Sequence, residues 1–173
     1  MIEFRNKLSK RSDRGFTLVE TLVYLAVTVL VSGALVTTFL SLTTVIARSA
    51  IERALTRDAD ISLELMLRAI REASTVNTGL STLGTSPGVL ALTDGATTTR
   101  FYLSSSRLTK SVNGTDVGPL TSSGVSIQNF TVNRYVGGTT EMVRISLTLH
   151  AENKVASSTR TFNIGATLRG SYE

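Results

Sequence analysis

The sequence has no cysteine, no tryptophan, two prolines and a single histidine in 173 residues. Without cysteine there can be no disulfides and no thiolate metal sites. The lone histidine, His150, falls on the polar side of an alternating stretch, where an imidazole is ordinarily a surface group and not a catalyst. No glycine-rich phosphate loop, nucleophile–base pair or set of paired catalytic carboxylates stands out. Asp58 and Asp60 lie in a helical pattern without the glycine-containing loop of a calcium site. Asp94 and Asp116 sit in turns, where aspartate is favoured for backbone reasons, so a calcium loop has only slight support. The expectation is a protein with no cofactor and no enzymatic site.

Charge is missing too, over one long stretch. From Thr21 to Ala47 there is no Asp, Glu, Lys or Arg, a run of 27 residues. At about 1.5 Å per residue such a helix spans roughly 40 Å, enough to cross the hydrocarbon core of a bilayer. Proline is absent from it, and Thr28, Ser32, Gly33, Thr37 and Thr38 interrupt its apolar surface. Hydroxyls there can bond back to the preceding turn and bend a helix, and Gly33 is either a hinge or ordinary small-residue packing.

One acid, Glu20, stands at the front edge of this run. Unpaired deep in a membrane helix, a carboxylate costs about 2.5–3.5 kcal/mol on insertion scales. The spacing offers an amine as its partner. A cut between Gly15 and Phe16 would start the helix with a new ammonium group, and residues i and i+4 share a helical face. A carboxylate in the first turn also offsets a cation at the positive end of the helix dipole. The same two charges could pair between neighbouring chains, which would make Glu20 an assembly device.

Ahead of the run, Arg5, Lys7, Lys10, Arg11 and Arg14 outweigh Glu3 and Asp13, so residues 1–15 carry +3 of the total +5. The high pI is therefore mostly an effect of this leader. The basic residues beyond it are scattered and rarely flanked by aromatics, which does not argue for nucleic-acid binding. Positive charge before a first transmembrane segment favours retention in the cytoplasm, placing the C-terminal part outside it. A secretory signal peptide would instead have a small-residue cleavage site after a shorter apolar core. An uncleaved signal anchor is the other alternative, and it leaves Glu20 unexplained.

Gly15-Phe16-Thr17-Leu18-Val19-Glu20, followed by Thr21-Leu22-Val23, resembles the cleavage and methylation signature of type IV prepilins. The resemblance implies that a membrane prepilin peptidase, guided by the basic leader with Lys10, Arg11 and Arg14, cuts after Gly15 and N-methylates Phe16. It implies that Glu20 neutralises the terminal amine of an adjacent subunit in a helical filament. It further implies an inner-membrane assembly platform and other pilin or pseudopilin subunits as partners. The proline found in this helix of many major pilins is missing, as is their C-terminal disulfide loop. The stretches Leu65–Ala73 and Arg160–Arg169 are loosely similar to J-type minor pseudopilins of type II secretion and their competence relatives. A subunit confined to the filament tip has no chain above it to neutralise, so a retained Glu20 fits a position below another subunit.

After Ala47 the pattern stays helical but becomes amphipathic. Ile51, Leu55, Ala59, Ser62, Met66, Ala69 and Ala73 recur at helical spacing, broadened by Leu65 and Ile70. Arg48, Glu52, Arg53, Arg57, Asp58, Glu64, Arg68 and Glu72 point elsewhere, as a solvated face or, in part, as contacts between subunits. The helix is expected to stop near Asn77-Thr78-Gly79.

From Gly79 onward Ser, Thr, Gly and short alternating runs announce strands and turns. Thr82–Gly88 is expected as a loop, with strands at Val89–Leu92, Thr98–Leu103 and Arg107–Val112, turns at Asp94-Gly95 and Asn113-Gly114, and an edge strand or loop at Val117–Leu120. Val143, Ile145, Leu147 and Leu149 alternate with polar residues, as do Phe162, Ile164, Ala166 and Leu168. In Val125–Tyr135 the apolar parity slips near Asn129, the mark of a bulge. Loops at Gly137-Gly138 and Glu152–Ala156 make these three strands a meander.

The fold class is therefore α+β: a long N-terminal helix packed on an antiparallel sheet. The expected parts are a leader over 1–15 that is removed, a transmembrane and assembly helix over 16–47, its amphipathic continuation over 48–78, and a β-rich head over 79–173. The expected function is that of a minor pilin or pseudopilin anchored by one span in the inner membrane, with its head periplasmic or extracellular. A membrane-anchored adhesion or binding domain that never polymerises is the alternative; an anchored enzyme has no candidate site.

Overall fold

The computed structural model describes residues 17–138 and 140–169. A single helix, α1, covers Leu18–Glu72 and runs unbroken through Gly33. The chain divides into two compact units, with the break between Thr43 and Thr44.

In the first unit the helix buries nothing. From Thr17 to Ile46 every residue is exposed except Glu20, which is half-buried. Leu18, Val19 and Leu30 are 79%, 70% and 74% exposed. The helix is long and apolar enough to cross a membrane. Its hydroxyls turn onto the helix itself. Thr21, Thr28, Thr38 and Thr43 donate to the carbonyls of Leu18, Tyr24, Ala34 and Leu40 at 2.7–2.8 Å, and Thr37 donates to that of Ala34 at 2.9 Å. Where no water is available to a polar group, such local bonds satisfy it.

The second unit is a head built on the rest of α1. Ile51, Leu55, Ala59, Met66 and Ile70 form its buried stripe, as the helical spacing predicts. Leu63 belongs to that stripe, whereas Leu65 lies outside it, 36% exposed. The helix ends at Glu72, not near Thr78. Ser74 donates both its N–H and its Oγ to the Thr93 carbonyl, at 2.9 and 2.8 Å, drawing the chain into a sheet. Gly79 does not take the left-handed backbone that a helix stop would use.

Two antiparallel sheets, where the sequence foretold one, pack on this helix face. The first has five strands in sequential order: β1 (Thr75–Val76), β2 (Leu90–Asp94), β3 (Thr97–Ser104), β4 (Arg107–Val112) and β5 (Thr115–Pro119). Strand β5, with Pro119, lies at its edge. The second is the expected meander of β6 (Val125–Gly137), β7 (Thr140–Glu152) and β8 (Ser157–Thr167). The β6–β7 register shifts between Ile127 and Asn129, the bulge that the parity slip predicts.

One core joins these layers. Phe101, Leu108 and Leu90 from the first sheet and Phe130, Ile145 and Leu147 from the second cluster with the helix stripe. The loop before β2 ties the sheets together, since Gly84 and Gly88 donate to the carbonyls of Val132 and Phe130 at 2.8 and 2.7 Å. A Cβ on Gly88 would stand 2.9 Å from the Phe130 oxygen, so the close approach requires glycine.

Candidate functional site: the head of the helix

The first turn of α1 has the capping-box spacing Thr17-Leu18-Val19-Glu20. The Glu20 N–H donates to Thr17 Oγ1 at 3.2 Å, and the Thr21 N–H donates to the Thr17 carbonyl at 3.1 Å. Thr17 is thus the N-cap and Glu20 the third helical residue, the position from which a glutamate complements the donors of a helix start. Its negative charge also sits where the helix dipole favours it. The carboxylate finds a partner one turn on, because Tyr24 Oη donates to Glu20 Oε1 at 3.3 Å.

Of the residues singled out by sequence, Glu20 lies at this site. Lys10, Arg11, Arg14, Gly15 and Phe16 lie outside the described residues. Sequence reasoning missed Thr17 and Tyr24, although a Thr-x-x-Glu spacing and a tyrosine at i+4 were both there to be read.

Residues 10–36 match the prokaryotic N-terminal methylation motif. No curated protein and no solved structure matches the chain. The prepilin-type motif runs from the basic leader through Glu20 and Tyr24 into the apolar helix. Together with the exposed, membrane-length helix it supports a type IV pilin-like protein held by a single-pass anchor. It implies processing by a prepilin peptidase and assembly with other pilin subunits, which suits a structural subunit better than an enzyme.

In the head, charged residues act as fasteners. Asp58 belongs to the buried face and not to the solvated one, with 7% of its surface exposed. Its Oδ2 accepts both the N–H and the Oγ of Ser122, each at 2.7 Å. Arg107 grips the same loop by donating Nε to the Thr121 carbonyl at 3.0 Å, and its Nη2 reaches that oxygen as well. Glu52 holds β8: Ser158 Oγ donates to its Oε1 at 2.6 Å. Arg160 Nε stands 2.6 Å from Glu52 Oε2, an ion pair by distance whose N–H is not aimed at the oxygen.

Two surface pairs shift proton affinities. Tyr102 Oη donates to Asp116 at 2.5 Å, and that bond raises the phenol above its usual range, with Arg100 pulling the other way. Arg134 is held charged more firmly by its 2.6 Å bond to Glu141. His150 bonds Thr159 Oγ1 at 2.9 Å on the polar side of β7, a surface role. Among the described residues, no three His, Asp or Glu side chains gather as metal ligands would.

Proposed function

We propose that the chain is a minor pilin or pseudopilin, a structural subunit of a type IV filament-like pilus serving secretion, DNA uptake or pilus biogenesis. In this reading the leader directs a prepilin peptidase to cut between Gly15 and Phe16, and Phe16 is then N-methylated. The new amine is the counter-ion of Glu20 on an adjacent subunit, and the helix from Phe16 to Ala47 serves first as membrane anchor and then as filament core. The head, beyond the cytoplasmic membrane, meets the machine's other components.

The observation that carries this proposal is the place of Glu20. It is the only residue between Thr17 and Ile46 that is half-buried and not exposed, and it is the only charged side chain on a surface otherwise fit for lipid. Local capping accounts for a glutamate at a helix start, but not for one at the edge of a membrane-length apolar run inside a methylation motif. The absence of proline from the apolar helix and of a disulfide in the head favours a minor over a major subunit.

Replacing Glu20 with Ala tests the assembly role. Cleavage after Gly15 should persist, while recovery of the subunit in sheared filaments should fall steeply. Normal incorporation of E20A would refute the charge pairing. A chain found only uncleaved in the membrane would favour a tethered binding domain instead.

A further inference from the structure

We propose that Arg48, Arg53 and Arg57 form a binding site for the headgroups of anionic phospholipids, set where α1 leaves its apolar run. The site rests on the membrane anchor of the reading above and is independent of cleavage, methylation and assembly.

The first observation is where these charges come in the helix. Arg48 is the first charged residue after Glu20, and 27 uncharged residues separate the two. As a helix they span roughly 40 Å. That exceeds a hydrocarbon core of about 30 Å and matches the roughly 40–45 Å of a bilayer with its headgroups. Arg48 is thus due at headgroup depth. Arg53 follows about 8 Å further along the same helix, and Arg57 about 14 Å.

The second is that the three cations are free. All are exposed, and among the described residues none has an ion pair or hydrogen bond through its side chain. Arg68, Arg134 and Arg107 are by contrast engaged with Glu72, Glu141 and the Thr121 carbonyl. The one acid between Arg48 and Arg57 is Glu52. Ser158 and Arg160 already hold its two oxygens, so it does not cancel the arginines. The next exposed acid, Asp60, comes about 18 Å beyond Arg48, well past the screening length of about 8 Å at physiological salt.

The third is the surface itself. Arg48, Arg53 and Arg160 rim a hollow that also has Val45 on its edge, 58% exposed. A second hollow continues past Arg53 to Arg57. An apolar side chain followed by guanidiniums complements a phospholipid, which presents an acyl chain followed by a phosphate. Guanidinium binds phosphate through two parallel N–H···O bonds. The ammonium of a zwitterionic headgroup offsets part of this attraction, so the site favours the anionic lipid.

The test uses the full chain in phosphatidylcholine vesicles and compares spin-labelled phosphatidylglycerol with spin-labelled phosphatidylcholine. Electron spin resonance of the motionally restricted lipid gives the preference of the protein for one over the other. The wild-type chain should prefer the anionic probe. Arg48→Gln should lower that preference by about fivefold, the size expected for one cation at an anionic surface. Arg53→Gln should lower it less, and Arg57→Gln less again, as screening takes hold. Arg71→Gln, about 35 Å beyond Arg48, should change nothing. Gln has nearly the helix propensity of Arg, and the three side chains carry no tertiary bond, so the fold is preserved. Any contribution from the cations of the leader is common to all variants.

Equal binding of the two probes by wild type, or a preference that R48Q/R53Q leaves intact, overturns the proposal. So does displacement of the anionic probe by inorganic phosphate beyond that by chloride at equal ionic strength, which would make this a free-anion site. If R48Q/R53Q keeps the lipid preference but no longer enters filaments, the arginines face another subunit and the lipid site falls. A wild-type chain that does not float with the vesicles removes the anchor and the site together. One that floats without discriminating between the headgroups removes the site alone.

Discussion

The two halves of α1 handle the same problem in opposite ways. Between Thr17 and Thr43 the apolar side chains face outward and each threonine bond is local, within four residues along the chain. Between Thr44 and Glu72 the apolar stripe is buried, and the polar side chains reach across the fold, from Asp58 to Ser122 and from Glu52 to Ser158. One secondary structure is thus written for two solvents. In lipid a polar group must be satisfied within its own helix; in water it can be spent on tertiary contacts. Glu20 is the one charged side chain among the described residues of the first half, and its carboxylate too has a partner within four residues, Tyr24.

The largest effect expected from this contrast comes from the buried stripe. Leu55 is fully buried, so Leu55→Ala should cost about 2–5 kcal/mol in the unfolding of the head. Leu30→Ala in the exposed half should leave that unfolding unchanged. Denaturation of the full chain in detergent, followed by near-UV circular dichroism, checks both. Equal losses from the two variants would erase the distinction between the halves.

Next in size is Asp58. Asp58→Ala leaves the Ser122 N–H and hydroxyl without their acceptor, at a cost of about 1–3 kcal/mol. Asp60, exposed two positions on, should tolerate Ala within about 0.5 kcal/mol. The same melts compare them, and matching values would return Asp58 to the solvated face. Smaller again is Ser158→Ala, which removes a bond to a Glu52 carboxylate that keeps partial solvent access, and about 1 kcal/mol is expected.

Asp58 also shows where reading the sequence stops. A charged residue one position before Ala59 looks like the edge of a polar face, and only the fold brings Ser122 to it. Strand alternation in β7 and β8, the bulge before Asn129 and the Asn113-Gly114 turn were legible because each is local. Asn113 and Gly114 have φ of 51° and 82°, the left-handed backbone that the dipeptide announces. Ser105 and Ser106 turn the preceding hairpin at φ of 50° and 58°, yet serine carries no such signal. The division into two sheets and the two-residue strand β1 depend on long-range pairing, which periodicity does not encode. At the site, Glu20 stood out by charge alone, whereas Tyr24 was hidden among apolar neighbours that it resembles.

The smallest effect is a titration in the head. The Tyr102 phenol, raised by its bond to Asp116, stays protonated past the usual range near pH 10. A folded-state value above the unfolded one means that this contact contributes below about pH 10 and is lost as pH rises through the raised value. Phenolate absorbance should therefore contain a late-titrating component from Tyr102, which Asp116→Asn brings back towards the ordinary range. An unchanged curve in that variant would remove Asp116 as the cause.

The most direct test of the whole account is the intact mass of the protein extracted from the membranes of its own host. A chain that begins at N-methylated Phe16 is the predicted result. A chain that still begins at Met1, or one cut beyond Leu42 so that the apolar helix is lost, would contradict it.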